Sequence, residues 1–241
     1  MKQDIKLGAY GWRHAHWSTT FYPEDLPVEE DDDWRLAYYS NEFNTVMVPW
    51  TYWQTEPLPD CEKWLDDVHD DFRFFIECHA DMFEFISPAE FTDCLKKLGP
   101  KLSALVFLDD RSVATDSLES LNLLIDTLGL DVFTTGDTAS LTTKRQVQNI
   151  WRPDKVQTSS FAFIEDDLLD LRSARVFVED FVASICNEGH KPEQSTEQQP
   201  GLQSEQQSGE NDGQFSMIVS HPQLQASDLG RFRSVLEIMG C

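Results

Sequence analysis

Short apolar runs, rich in β-branched and aromatic residues, return along this 241-residue chain at nearly constant spacing. From the second run to the sixth, the intervals between starts are 28, 29, 28 and 26 residues. Segments with helical spacing of apolar residues lie between the runs. Strands that alternate with helices at this period predict βαβ units and a parallel sheet. The runs begin near Ile5, Thr45, Arg73, Leu102, Leu130, Val156 and Phe215, and the predicted helices are 33–43, 61–71, 87–98, 116–128, 143–151, 166–187 and 226–239.

The interval before the last run is 59 residues, about twice the period of the other runs. Residues 188–213 within it are rich in Gln, Glu, Ser, Gly and Pro, with one Leu and no Phe, Trp or Tyr. We interpret them as a disordered polar insertion, because they have nothing apolar to bury. Without these 26 residues the interval is 33, close to the period. We therefore predict one α/β domain over 1–241, with about seven parallel strands and surrounding helices.

The charge excludes several classes of partner. The chain has 43 acidic and 19 basic residues, a net charge of −24. Such a chain repels phosphate backbones and anionic lipid surfaces, so we expect no nucleic-acid and no membrane partner. The one basic cluster worth testing comprises Lys144, Arg145, Arg152 and Lys155. The apolar run at the start is too short for a signal peptide and no run could span a bilayer, which predicts a cytoplasmic protein of undetermined oligomeric state.

The cysteines give no disulfide or metal pattern. Their number is odd, they are scattered, and no C-x-x-C pair occurs. We therefore predict reduced thiols rather than a disulfide framework or a structural zinc site. The five are Cys61, Cys78, Cys94, Cys186 and Cys241.

Motifs in the first 110 residues are more specific than the period. Gly8-Ala9-Tyr10-Gly11-Trp12 ends the first run, and Phe21-Tyr22-Pro23 follows. The stretch from Leu36 to Val46 (LAYYSNEFNTV) leads into the second run. Together with Phe72-Arg73-Phe74 and the 98–102 stretch (LGPKL), these motifs resemble the YecE-like family of unknown function (domain of unknown function 72). The resemblance is clear over residues 5–110 and implies a TIM-barrel-like (β/α) barrel, which is shortened or irregular here because we count about seven strands rather than eight.

The departures from the family pattern lie near the ends of predicted strands. Tyr10 stands where the family has Ser, Met47 and Pro49 where it has Glu and Asn, and Glu77 where it has Lys. Active sites of α/β barrels sit at the carboxyl ends of the strands. The polar set that family chemistry would use is therefore largely replaced.

Other polar residues follow predicted strands and converge on one rim in a barrel. Asp, Glu and His in such a position bind a divalent cation or act as general acid and base. The alternative is that they are solvated loop residues or helix caps. The candidate catalytic residues are Glu77, Asp137, Glu165 and His221, and the candidate metal ligands are His79 and Asp109. The cofactor stays open between a divalent metal and none.

Aromatic residues crowd the loops after the first two strands. Aromatic faces flanked by carboxylates suit carbohydrates or organic cations, although the same residues also serve as core filler. His14 and His16 form a His-x-His pair that could chelate a metal, but we interpret their segment as a packed loop. The candidate ligand-binding residues are Tyr10, Trp12, Arg13, His14, Trp50 and Trp53.

Two functions follow from these residues. The first is a degenerate barrel that binds a small molecule or a protein partner without robust catalysis, favoured because the departures fall at the rim. The alternative is a small-molecule enzyme, a metal-assisted or acid–base hydrolase or isomerase, with its site at the same rim. The sequence identifies no substrate, and Walker A, dinucleotide-binding and G-x-S-x-G motifs are absent from it.

Overall fold

The computed structural model describes residues 4–23, 33–79, 81–108, 115–136, 143–155, 157–186 and 215–241, which contain eight parallel strands and six helices. The strands are β1 (Ile5–Tyr10), β2 (Thr45–Val48), β3 (Arg73–Glu77), β4 (Leu102–Phe107), β5 (Asp131–Thr134), β6 (Val147–Asn149), β7 (Phe161–Ile164) and β8 (Phe215–Val219). The helices are α1 (Asp33–Ser40), α2 (Cys61–Asp67), α3 (Pro88–Lys97), α4 (Thr115–Leu128), α5 (Leu171–Cys186) and α6 (Ala226–Met239). Within the described ranges, none of these helices combines the length and apolar character needed to cross a membrane.

The strands form one parallel sheet in the order β6-β5-β4-β3-β2-β1-β8-β7. Its two edges meet just beyond β6, where Trp151 forms a parallel bridge to Ala162 in β7. The Trp151 N–H donates to the Phe161 carbonyl at 2.9 Å, and the Trp151 carbonyl accepts from the Phe163 N–H at 3.0 Å. The sheet therefore curls into an irregular α/β barrel, and the predicted fold class is confirmed.

The predicted helix at 143–151 is wrong, and so is the count of seven strands. This segment holds β6, the eighth strand, which pairs in parallel with β5. The Val132 N–H donates to the Gln146 carbonyl at 3.1 Å, and the Ile150 N–H donates to the Thr134 carbonyl at 3.0 Å. The open edge of β5 needs these partners, and that tertiary demand overrides a weak local pattern.

The other six predicted helices are confirmed, with shifted ends. The seven predicted strands are present too, although the run that begins near Val156 gives its strand only from Phe161. The segment 188–213, which we interpret as a polar insertion, lies outside the described residues.

The strands separate two apolar clusters because successive side chains point to opposite faces of the sheet. The larger cluster packs between the sheet and the helices. The smaller one fills the barrel interior, where the Phe161 ring lies 4.6 Å from Phe75 and 5.0 Å from Phe133. These rings occupy the barrel axis, so the interior is a packed core. Its members are Met47, Phe75, Ala104, Val106, Phe133, Ile150, Phe161, Phe163 and Ile218.

The prediction of reduced thiols is wrong for two cysteines. Cys61 and Cys94 form a disulfide, with their Cα atoms 5.8 Å apart. Cys61 begins α2 and Cys94 lies in α3, and these helices pack against each other on the outside of the sheet. Helix packing, which the sequence spacing of 33 residues does not reveal, brings the sulfurs together. Cys78 is buried and carries a free thiol.

A glycine-to-alanine pair tests the close packing of β1 against β2. A Cβ at Gly8 would lie 2.0 Å from the Thr45 carbonyl oxygen, which belongs to the paired strand. We expect Gly8→Ala to lower the free energy of unfolding by about 3 kcal/mol or more, because the clash is with backbone. Urea denaturation measures this change.

Gly230→Ala is the matched control. Gly230 lies inside α6, and a Cβ there would meet no atom within 4 Å. Alanine favours a helix interior by about 0.8–1 kcal/mol over glycine, so this variant should be more stable. If both variants had unchanged stability, the tight pairing of β1 with β2 would be wrong.

Candidate functional site

The Glu77 carboxylate, at the end of β3, is held by two donors at the C-terminal mouth of the barrel. Its Oε2 accepts from the Tyr10 hydroxyl at 2.5 Å and from the Trp50 N–H at 2.6 Å. Phe75 fills the interior two residues earlier, so strand alternation puts Glu77 on the same inward face. Burial, and then the charge of Glu77, raises the pKa of the Tyr10 hydroxyl. Tyr10 therefore stays protonated and remains the donor.

A second polar pair lies at the same mouth. Arg152 Nη1 lies 3.1 Å from Glu165 Oε2, and the guanidinium carbon lies 5.8 Å from the centre of the Phe163 ring. The Tyr10 ring contacts Phe163 from 6.0 Å. Both polar groups thus rest on one aromatic side chain of the barrel interior. The Arg152 Nε is buried and has no hydrogen-bond partner within the described residues.

The predicted catalytic set does not form a connected site in the described structure. Glu77 is bound by Tyr10 and the Trp50 backbone, and Glu165 pairs with Arg152. His221 Nδ1 accepts from the Gln223 N–H at 3.3 Å. No hydrogen bond or ion pair joins these three side chains to one another. Asp137, the fourth candidate, lies outside the described residues, and the catalytic role of the set stays a prediction.

The predicted ligand-binding tryptophans are buried. Trp12 and Trp53 are 0% and 1% exposed, and both meet Trp64 edge to face, with ring centres 5.1 and 5.5 Å away. Trp50 is 7% exposed and stacks on His79 at 6.0 Å. These contacts favour the core-filler interpretation for Trp12 and Trp53. Trp50 adjoins the mouth, and its backbone N–H, rather than its ring, contacts Glu77.

Arg13 and His14 lie in the loop between β1 and a short 3-10 helix at Ala15–Ser18. The Arg13 guanidinium lies 4.6 Å from the centre of the Tyr52 ring, a cation–π contact. The His14 ring lies 4.2 Å from the Trp17 ring. Burial, and then the charge of His16, lowers the pKa of His14 to about 4, so its imidazole is neutral at pH 7. Both residues pack within the loop, and their predicted role in ligand binding is untested.

The metal-ligand candidates form no cluster in the described structure. His79 stacks on Trp50, and its Nδ1 lies 3.7 Å from Asp81 Oδ2. Asp109 lies outside the described residues. Among the residues that are described, no group of three or more His, Cys, Asp or Glu is placed to hold a metal ion.

The sequence groups Arg152 with Lys144, Arg145 and Lys155 as a basic cluster and does not indicate its place at the mouth of the barrel. Arg152 follows the segment wrongly predicted as a helix. A strand over 147–151 would have placed Gln148, Ile150 and Arg152 on one face, with Arg152 at the rim. The apolar residues Val147, Ile150 and Trp151 are spaced i, i+3 and i+4, which is typical of a helix, and a run this short does not separate strand from helix.

Comparisons with known proteins agree with the fold. The family model for "Protein of unknown function DUF72" matches residues 6–132. The crystal structure of a DUF72 family protein from Thermotoga maritima MSB8 is similar with a TM-score of 0.56 and 14% identity, covering 98% of this chain and 100% of that one. A DUF72 family protein from Enterococcus faecalis V583 gives 0.50 and 10%, covering 98% and 97%. No curated protein gives a significant match.

Removing the Tyr10 hydroxyl tests its bond to Glu77. At neutral pH, Tyr10→Phe should lower the free energy of unfolding by about 1–3 kcal/mol, because a part-buried carboxylate loses a donor. Because the pKa of Tyr10 is raised, the unfolded chain loses this proton first, and wild-type stability should fall as the pH rises above 10. Tyr10→Phe lacks that contribution. Denaturant titrations at neutral and alkaline pH measure both effects.

Tyr38→Phe is the matched control, because the Tyr38 hydroxyl makes no hydrogen bond to a described residue. Its free energy of unfolding should stay within about 0.5 kcal/mol of the wild type. Equal losses for the two variants would contradict a specific bond between Tyr10 and Glu77.

The buried His14 predicts a loss of stability in acid. The pKa of His14 is lowered from 6.5 to about 4, so between these values the unfolded chain binds more protons. The free energy of unfolding should therefore fall as the pH falls through this window. Urea denaturation from pH 7 to 4 should show a shallower loss for His14→Gln, which does not titrate. Parallel losses in the two proteins would contradict the buried neutral imidazole.

Proposed function

We propose that this chain, which belongs to the DUF72 family of proteins of unknown function, binds a small molecule at the C-terminal face of its barrel without catalysing a reaction. The observation that carries this proposal is the pairing of Glu77. One of its oxygens accepts two short hydrogen bonds, from Tyr10 and from the Trp50 backbone. A general acid or base must exchange a proton with substrate, and a carboxylate held in this way is committed to structure.

The departures from the family pattern support the same conclusion, because they compensate one another. Tyr10 and Glu77 stand where the resemblance predicts Ser and Lys, and they bond to each other at 2.5 Å. Met47 stands where it predicts Glu, and it is a buried member of the barrel interior. The polar groups of the family pattern are thus replaced by Tyr10 and Glu77, which hydrogen-bond to each other, and by the apolar side chain of Met47. Such replacements preserve the fold while removing groups that would face a substrate.

The filled axis also favours binding at the loops. Aromatic rings close the interior directly below the mouth, and Phe163 contacts both Tyr10 and Arg152. A ligand therefore cannot enter the barrel, and recognition must come from the loops that follow the strands. Ligand sites of this architecture lie on the same face.

The enzyme alternative keeps one observation in its favour. Glu77 Oε1 has no hydrogen-bond partner among the described residues and lies at the mouth of the barrel. A carboxylate with one open oxygen can exchange a proton with a substrate as a general acid or base. This second candidate needs turnover that depends on Glu77.

The partner expectations from the sequence become proposals as well. With a net charge of −24 the chain should bind neither nucleic acid nor anionic membranes, and we propose a cytoplasmic location. The basic cluster is a weaker candidate for binding nucleic acid, because the charge of Arg152 is paired with that of Glu165.

A ligand screen tests the proposed function when each compound that binds is afterwards checked for chemical change. Cationic, anionic and neutral small molecules are added to the purified full chain, and a rise in melting temperature identifies binders. NMR maps each binder, and mass spectrometry after long incubation tests whether it is unchanged. We expect binders whose shifts fall in the loops after the strands and which are recovered intact. Glu77→Gln, which keeps an acceptor for Tyr10, should bind them within about twofold.

Two results would overturn the proposal. Conversion of a binder by the wild type, abolished in Glu77→Gln, would establish the enzyme alternative. A screen without binders at this face would remove ligand binding altogether.

A further inference from the structure

A cavity of about 380 Å³ opens beside the barrel mouth. It lies between the loops that follow β1, β7 and β8, three strands adjacent in the sheet. Its volume is within the range of small-molecule sites, at the lower end. The lining residues are His16, Asp167, Leu169, Pro222, Gln223, Gln225 and Asp228.

The charged groups of this cavity are carboxylates. Asp228 is 4% exposed and belongs to the capping box at the start of α6: the Gln225 N–H donates to Oδ2 at 3.3 Å, and Arg231 Nη1 lies 3.4 Å from Oδ1. Arg231 is largely exposed and outside the lining, so water screens its charge. An ionised carboxylate has about four lone-pair sites, and these contacts use one on each oxygen. Asp228 therefore has acceptor capacity left for a donor in the cavity.

His16 adds a further acceptor. Its Nε2 lies 2.6 Å from the Leu224 carbonyl oxygen, which only accepts hydrogen bonds, so the proton of a neutral ring is on Nε2. The lone pair is then on Nδ1. Trp17 Nε1 donates to the same carbonyl at 2.6 Å and fixes this loop against the β8 loop. The cavity wall is thereby preorganised rather than formed on binding.

Asp167 faces the cavity from a loop anchored by a buried neighbour. Its Oδ1 accepts from the Leu169 N–H at 3.1 Å, and Oδ2 has no partner within the described residues. Leu168, between these two residues, is 2% exposed and holds the loop in place. Leu169 and Pro222 add exposed apolar surface. The cavity thus combines acceptors, two carboxylates and an apolar wall, and none of its lining residues is Lys or Arg.

We propose that this cavity is the ligand site of the chain and that its ligand is a small organic cation, an aliphatic amine or guanidine. The inference rests on the proposed binding function and adds the place and the chemical class. An ammonium or guanidinium donates to Asp167, Asp228 and His16 Nδ1, while its alkyl chain lies on Leu169 and Pro222. The net charge of −24 raises the local concentration of such cations.

Calorimetric titration with three four-carbon probes that differ in charge tests the ligand class. The probes are 1,4-diaminobutane, neutral 1,4-butanediol and anionic succinate, added to the full chain at about 0.15 M salt, where the Debye length is about 8 Å and diffuse attraction is screened. We expect saturable binding of the diamine alone. Binding of the diol or succinate at least as tight as that of the diamine would overturn the cationic class. The broader screen would then still decide the proposed function separately.

Two matched variants test the location of the ligand site. Asp167→Asn keeps the acceptor for the Leu169 N–H but removes the charge, and it should weaken diamine binding about tenfold. Asp170→Asn removes the same charge from the same loop, at a residue outside the lining that accepts the Arg172 N–H at 2.9 Å. It should change the affinity by less than about twofold. Equal losses in both variants, or none in Asp167→Asn with an unchanged melting temperature, would overturn the assignment.

Discussion

The closure of the sheet at Trp151 is the constraint on which the rest of the structure depends. A parallel sheet leaves unpaired N–H and C=O groups at its two edges, and these groups need partners. The N–H and the carbonyl of Trp151 provide them by bonding to Phe161 and Phe163 in β7. Once the edges meet, the inward side chains are enclosed and pack against each other. The short strand β6 exists because this closure requires it.

The enclosed, packed interior also determines how the polar residues at the mouth of the barrel are paired. Phe163 lies at the top of the packed interior, and the two polar groups of the mouth, Tyr10 with Glu77 and Arg152 with Glu165, lie around it. A charged group that lies on this apolar interior needs hydrogen-bond or ion-pair partners among its neighbours, because burying it without them costs free energy. The mouth residues therefore satisfy one another. Space and unused acceptors occur instead between the loops after β1, β7 and β8.

Several features were beyond sequence reasoning for definite physical reasons. Arg152 lies just after a segment that the sequence predicts as a helix, whereas pairing with the open edge of β5 makes that segment a strand. The Cys61–Cys94 disulfide depends on how α2 and α3 pack. The cavity is lined by residues from three loops far apart in the chain, and none of them, apart from the His-x-His of His16, belongs to a motif that the sequence presents. Glu77 was predicted at the rim, but its partner Tyr10 was assigned to a ligand instead.

The sequence by itself determined the alternation of strands and helices, the barrel class, the family and the rim positions of Glu77 and Glu165. These follow from local information, since the period, the apolar runs and the position of a residue at a strand end are all written along the chain. Tertiary structure alone decided which strands close the barrel, which cysteines pair and which polar groups bond to each other. Those outcomes depend on contacts between residues that lie from 10 positions apart, as in Trp151 with Phe161, to 208 positions apart, as in His16 with Leu224. Such contacts arise only when the whole sheet curls and brings its loops together.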